Sequence, residues 1–349
     1  MKRIWSIVFS VVFMFALPAF GQGGVNNGEM LGPVPNPSPG VLDGVYVPEH
    51  IPTKKLIPWE HVREADAVWS KRVWRYIDLR EKINHPMYYP LDKINAEISP
   101  TDLEWTKHQR RWSLWTVILT NVLNGNLTVY SPENPLNKIK DGDSFKYPIA
   151  PPPGKTVSDS VWFIDNLLGY LATEEACERI PIPSQVDPEE DSMRQIVVNG
   201  EIIWDIVMTT CPYIYFQSED IVQYRLKEDW FFDKERSVMD VRIIGIAPVR
   251  YATNEDKTAI TGYEEIFWLY FPECRYVFQN YYVYNAQNDS RWFSYDDLFW
   301  KREFNSVIYR SSNVYDRKID TYRVGVDALL ESEKITNEIR MIEHDVWSL

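Results

Sequence analysis

Between Glu60 and Asn84 the apolar positions Val62, Ala65, Val68, Trp69, Val73, Tyr76, Ile77 and Ile83 recur three and four residues apart, with Arg63, Lys71, Arg72, Arg75 and Lys82 mostly between them. The spacing predicts a long amphipathic helix. A second helix is expected from Ser99, because Pro100 suits a first helical position and Asp102 completes a capping-box-like spacing. It should end at Asn124-Gly125. Its apolar face, Leu103, Leu114, Trp115, Ile118, Leu119, Val122 and Leu123, reads as core and not as a cofactor slot.

Further along, the pattern changes to strands. Ile196 to Val198 and Glu201 to Trp204 flank Asn199-Gly200, a pair that favours a tight hairpin turn. Ile221 to Leu226, Val238 to Ile246 and Ile266 to Phe271 are rich in β-branched and aromatic residues and are separated by polar turns, so an antiparallel sheet is expected. A helix should start at Ser294, with Asp297 three residues on. Ile319, Tyr322, Val326, Leu329, Leu330, Ile339, Ile342 and Val346 then keep near-helical spacing to the end. The expected fold class is α+β, with a helical N-terminal region and a C-terminal antiparallel sheet with flanking helices.

Proline and glycine punctuate this order. Pro33, Pro35, Pro37 and Pro39 alternate with single residues in a Gly- and Asn-rich stretch, which favours an extended arm over a packed core. Tyr46, Ile51 and Leu56 lie among Pro48, Pro52 and Pro58 and need burial, either on their own domain or on a neighbouring chain; the residues leave both open. A second break, Pro181 to Asp191, has the composition of a linker. The expected organisation is a signal peptide at 1–21, an arm at 22–58, a mainly helical domain at 59–180, a linker at 181–195 and an α+β domain at 196–349.

The leader is read from Lys2 and Arg3, the apolar run Ile4 to Leu17, and the small residues Ala19 and Gly21. That run is shorter than the roughly 20 residues needed to span a bilayer. Gln22, not Cys, would begin the mature chain, so a soluble exported protein without its own anchor is expected. Charge then narrows the partners. Lys+Arg number 37 against 50 Asp+Glu, and removing Lys2 and Arg3 leaves 35 against 50, a net charge of −15. Nucleic acid is an unsuitable partner for such a chain. Cys177, Cys211 and Cys274 are too few and too scattered for a disulfide scaffold or a zinc ribbon. The 14 Trp and 21 Tyr call for broad rigid contact surfaces as well as core.

Chemistry-bearing motifs are sparse. Gly154-Lys155-Thr156 lacks the glycine that a phosphate loop needs five positions earlier, where Ile149 stands, and Pro151 to Pro153 offer no N–H groups, so it reads as a turn. His50, His61, His85, His108 and His344 have no metal-ligand spacing. Glu174-Glu175, Glu228-Asp229 and Asp296-Asp297 are adjacent acids. They read as solvated charge and helix N-termini, not as a hydrolytic pair, and Asp141-Gly142-Asp143 reads as a turn. No catalytic residue, metal site or cofactor is expected, and the chain is read as non-enzymatic. The competing class is a glycan-binding module, which would present exposed aromatics in a planar row.

Several long segments, in order, carry a resemblance. They are Val68-Trp69-Ser70-Lys71-Arg72-Val73-Trp74-Arg75-Tyr76-Ile77-Asp78, Lys227-Glu228-Asp229-Trp230-Phe231-Phe232-Asp233, Arg242-Ile243-Ile244-Gly245-Ile246-Ala247-Pro248, Phe267-Trp268-Leu269-Tyr270-Phe271-Pro272-Glu273 and Ser312-Asn313-Val314-Tyr315-Asp316-Arg317. The chain resembles the GldN/PorN family from about Gly44 to its end, apart from Pro148 to Gln195. The resemblance implies a periplasmic component of type IX secretion and gliding motility. It further implies a ring formed with a GldK/PorK-like outer-membrane lipoprotein and with copies of the chain itself, in contact with a GldM/PorM-like shaft. Tyr46, Ile51 and Leu56 of the arm are expected partner contacts. Trp69, Arg72 and Trp74 form a second candidate interface, because Trp and Arg dominate interface energetics, with a core role open for Trp69.

Overall fold

The computed structural model describes residues 55–91, 111–154, 156–157, 162–174, 193–198, 201–206, 213–254, 259–285, 288, 293–315 and 317–347. The leader, Tyr46, Ile51, the start of the second helix at Ser99 and most of the expected linker lie outside the described residues. So do His50, His108, Cys177 and Cys211.

In chain order the elements are β1 (Ala67–Asp78), α1 (His85–Tyr88), α2 (Leu114–Leu123), β2 (Val129–Tyr130), β3 (Pro148–Ile149), α3 (Leu168–Leu171), β4 (Ala172–Glu174), β5 (Met193–Val198), β6 (Glu201–Ile206) and β7 (Tyr213–Tyr215). They continue as β8 (Ile221–Asp233), β9 (Val238–Thr253), β10 (Ile260–Glu265), β11 (Trp268–Tyr270), α4 (Phe271–Phe278), β12 (Tyr282–Val283), β13 (Phe293–Ser294), α5 (Tyr295–Trp300), β14 (Val307–Ser311) and α6 (Val326–Trp347). Eight strands form one sheet in the order β14-β1-β8-β9-β11-β2-β3, with β10 also on β9. The fold class is the α+β one expected.

The stretch expected to be the first helix is instead a strand. β1 is central, antiparallel to β8 on one side and to β14 on the other. Val73 and Ile77 are buried on one face and Trp74 on the opposite one, so apolar residues occupy both parities and the period-two signal of a half-buried strand disappears. The leftover spacing mimics a helix. Pairing on both edges decides the outcome, and the Val, Trp, Tyr and Ile content suits it. The sheet therefore draws β1 from before the expected linker and β8 to β11 from after it.

Other expectations are met locally. α2 ends at Asn124, and Gly125 follows with φ +74°, the left-handed conformation that glycine tolerates at a helix C-terminus. Ser113 caps its start, accepting from Thr116 N at 3.2 Å. β5 and β6 pair as the expected hairpin strands, with Val198 opposite Glu201; the expected turn at Asn199-Gly200 itself lies outside the described residues. At α5, Ser294 and Asp297 form a reciprocal capping box. The strand expected over Ile266 to Phe271 is shorter because Pro272, in the first turn of α4, favours helix initiation.

Two cores result. The main one joins Ile77, Leu226 and Ile246 of the sheet to α2, α4 and α5, with the Phe278 and Phe299 rings stacked at 5.8 Å. Each fully buried Leu, Ile or Phe there stabilises the fold by roughly 1.5–3 kcal/mol. A satellite core of Val73, Ile308, Ile319, Ile335 and Ile339 fixes α6 against β14 and β1. The outer edge of β14 is closed by the chain itself: Ile308 N donates to Ser332 Oγ at 2.9 Å, and Arg310 makes a bridge to Lys318.

Candidate interaction site

Alternation along β1 and β8 sends one set of side chains away from the main core. Trp74 pairs across the strands with Lys227 and Arg72 with Asp229, while Arg310 of β14 faces Trp74 from the other side. The Trp74 Nε1 donates to Asp143 Oδ2 at 2.9 Å, and the Arg310 guanidinium lies 4.1 Å from the ring centroid. Lys227 Nζ is 3.4 Å from Asp143 Oδ2 and also donates to the Asp143 carbonyl. Burial pulls the Lys227 ammonium below its usual range, and Asp143 opposes that shift.

Asp143 is delivered by a single 3-10 turn, Gly142–Ser144. Phe145 follows and sits edge-on to Tyr130 and Trp268, against Gly245 of β9. A Cβ built on Gly245 would come 2.5 Å from Phe145 Cζ, so glycine is what lets this aromatic lie on the sheet. The expected turn at Asp141-Gly142-Asp143 is present, and its second acid serves as a clamp for β1 and β8.

The other parity of the same strands holds a buried charge cluster. Glu228 is wholly buried, with Oε2 3.2 Å from Arg75 Nε and Oε1 2.9 Å from Arg302 Nη2, and it accepts from Trp230 Nε1 at 3.0 Å. Both guanidiniums also face the Trp230 ring, at 5.6 and 5.3 Å. Burial lowers Arg75, against the pull of Glu228.

A loop after β14 has a different character. Asn313 Nδ2 donates to the carbonyls of Ser311 and Arg317 at 2.9 and 3.1 Å, while its Oδ1 accepts from Tyr315 N at 3.0 Å and Arg317 N at 3.4 Å. Ser312 N donates to Arg72 O at 2.9 Å, tying the loop to β1. Arg317 lies between Tyr315 and Tyr322, 4.8 and 4.4 Å from their ring centroids. The loop is thus fixed from within, yet Val314 is 98 % and Tyr315 76 % exposed. Sequence reasoning singled out this segment only as part of a resemblance; an Asn opening a loop before a Val-Tyr pair was the available signal.

The expected interface residues fall in different settings. Leu56 is half-buried, beside Ile57, whose carbonyl accepts from Arg275 Nη2 at 2.9 Å. Trp59 is held between Arg242 and Arg275, at 5.5 and 4.9 Å, so the end of the arm packs on its own chain. Trp69 is half-buried against the satellite core under α6. Arg72 is at the surface and makes a two-pronged pair with Asp229 at 2.6 and 2.7 Å, which raises the Arg72 pKa. Trp74 is only 6 % exposed, so a direct partner contact through it requires the ring to leave Asp143 and Arg310.

Two of the three acidic pairs have structural uses, and the Glu174-Glu175 side chains lie outside the described residues. Asp296 pairs with Arg275 at 2.8 Å and Asp297 caps α5. Glu228 corrects the expectation of solvated charge: strand alternation turns it inward, where two arginines compensate its burial. The Trp74 and Trp268 rings lie inside with Tyr309 packed against them, Tyr309 is tilted by 41° to the half-buried Tyr76, and Tyr251 and Tyr263 are tilted by 30°, so these rings form no flat sugar platform. Among the described residues, no group of three or more His, Cys, Asp or Glu is placed to hold a metal ion. Cys274 is buried and unpaired, with its thiol pushed well up by burial. No described helix is long and apolar enough to cross a membrane.

Fold and site together define a mixed α+β protein whose sheet is braced by internal charge pairs and which carries the exposed side chains of Val314 and Tyr315 on the loop after β14. The chain belongs to the GldN family: residues 62–348 match the family described as gliding motility associated protein GldN. That family is a periplasmic component of gliding motility and type IX secretion. No protein of curated function matches the chain.

Proposed function

We propose that this chain is a non-enzymatic structural subunit of the type IX secretion and gliding machinery. In this reading it forms a periplasmic ring with a GldK/PorK-like outer-membrane lipoprotein and with copies of itself, contacts a GldM/PorM-like shaft, and is held at the inner face of the outer membrane through the lipoprotein. The observation that supports it best is the loop set by Asn313. Fixing Val314 and Tyr315 in solvent brings a free chain little, whereas a preorganised Val-Tyr-Arg surface lowers the ordering cost of binding a protein partner. Tyr46, Ile51 and Leu56 of the arm and Arg72 at the sheet surface are further proposed contacts; Trp69 and Trp74 would act as braces beneath them.

The test is affinity purification of the tagged chain from gently solubilised native envelopes, with mass spectrometry and negative-stain imaging of the eluate. Recovery of the lipoprotein with ring-shaped particles is expected, and its loss is expected on Val314→Asp with Tyr315→Ala while the circular dichroism spectrum stays unchanged. A lone monomer from the native sequence overturns the reading.

A further inference from the structure

We infer that the outward face of α6 is a docking surface for a basic amphipathic helix belonging to a different protein. This rests on the reading of the chain as an assembled subunit. The buried side of α6 is set by Ser332, Ile335 and Ile339. Val326, Leu330, Asn337 and Met341 follow one another at intervals of four, seven and four, which at 3.6 residues per turn places them together on the opposite side. A helix with one packed face ordinarily carries polar residues there. Here Leu330 is 57 % and Met341 55 % exposed, and both border a shallow concavity in which three acids, Glu333, Glu338 and Asp345, outnumber the single base Lys334 beside Asn337 and Ile342.

Charge selects the occupant. α6 carries six acidic residues against Lys334 and Arg340, a net charge of −4. Lys334 is itself drawn 3.9 Å from Glu338, which also meets Lys71 at 3.9 Å. A second copy of α6 would set two such acidic helices side by side, which like-charge repulsion disfavours. The chain's own long segments outside the described residues fit no better: 22–54, 92–110 and 175–192 are each net acidic, at −2, −1 and −5. A partner helix with Leu or Met on one stripe and Lys or Arg flanking it satisfies both the apolar stripe and the acidic rim.

The test uses the full chain in its native cell, with a photo-crosslinking phenylalanine analogue in place of Leu330 or of Met341 and the adducts mapped by mass spectrometry. Both probes should link to a segment of another protein that has net positive charge and apolar residues at helical spacing. Yield should fall about tenfold when Glu333→Lys and Asp345→Lys are added, with unchanged circular dichroism. Adducts to α6 of a second copy, to lipid, or at no more than the level of a probe replacing the exposed His61 would overturn the inference. If the lipoprotein and rings are recovered while the α6 probes stay unlinked, the docking surface fails and the subunit reading stands. If neither is seen, both fall.

Discussion

Glu228 places Oε1 2.9 Å from Nη2 of Arg302, and no part of Glu228 is open to solvent. The two residues come from the middle of β8 and from just past the end of α5, so the pair ties the sheet to the helical layer. Arg75 of β1 completes the cluster from the neighbouring strand. A buried ion cluster is weak evidence of net stabilisation, because desolvation opposes attraction, but removing its shared member strands two cations. Glu228→Gln should therefore cost about 3–5 kcal/mol, read as a lower urea midpoint with unchanged slope. Arg302→Met leaves Glu228 its Arg75 partner and should cost less. Equal losses from the two substitutions would show that the cluster does not act as a shared carboxylate.

The closeness of Phe145 to Gly245 gives a second prediction. Gly245→Ala forces the ring off the sheet, and overpacking of this kind costs about 1–3 kcal/mol. In a Phe145→Ala background the same glycine substitution should cost less, since the nearest atom is gone and only Trp268 Cε3, at 3.2 Å, still crowds the new methyl. A thermal-denaturation double-mutant cycle reads the coupling, and additive effects would sink the assignment.

How far the chain was legible follows from these same residues. The Ser294 and Asp297 box and the Gly125 stop are local devices, complete within a few residues, and the sequence alone reveals them. β1 was not legible as a strand, because its apolar positions answer to two different layers. Glu228, Asp143 and Arg302 were not legible as partners either, since their pairing is made by register between distant segments. The exposed face of α6 hides for another reason: an apolar residue at helical spacing looks the same in sequence whether it meets a core or solvent.

Glu273 supplies a pH test. Burial raises its carboxyl above the ordinary Glu value, so the folded chain holds a proton that the unfolded chain releases as pH rises through about 4.5. Stability contributed by this group is therefore full below the unfolded value and falls as pH rises through the folded value. Glu273→Gln should raise the melting temperature at pH 7 and leave it unchanged near pH 4. An equal gain at both values would trace the effect to packing and not to ionisation.

The arm should be separable from the fold only up to a definite point. Ile57 O accepts from Arg275, and Trp59 is clasped by Arg242 and Arg275, so the last residues of the arm belong to the folded body. Deleting residues 31–54 removes Tyr46 and Ile51 but spares these contacts. It should abolish co-purification with the lipoprotein while leaving the melting temperature unchanged. Extending the deletion through Pro58 takes away Leu56 and the carbonyl that Arg275 uses, and should lower the melting temperature as well. Retained binding after the shorter deletion would show that the arm is no partner contact, and unchanged stability after the longer one would show that the Ile57 anchor is dispensable.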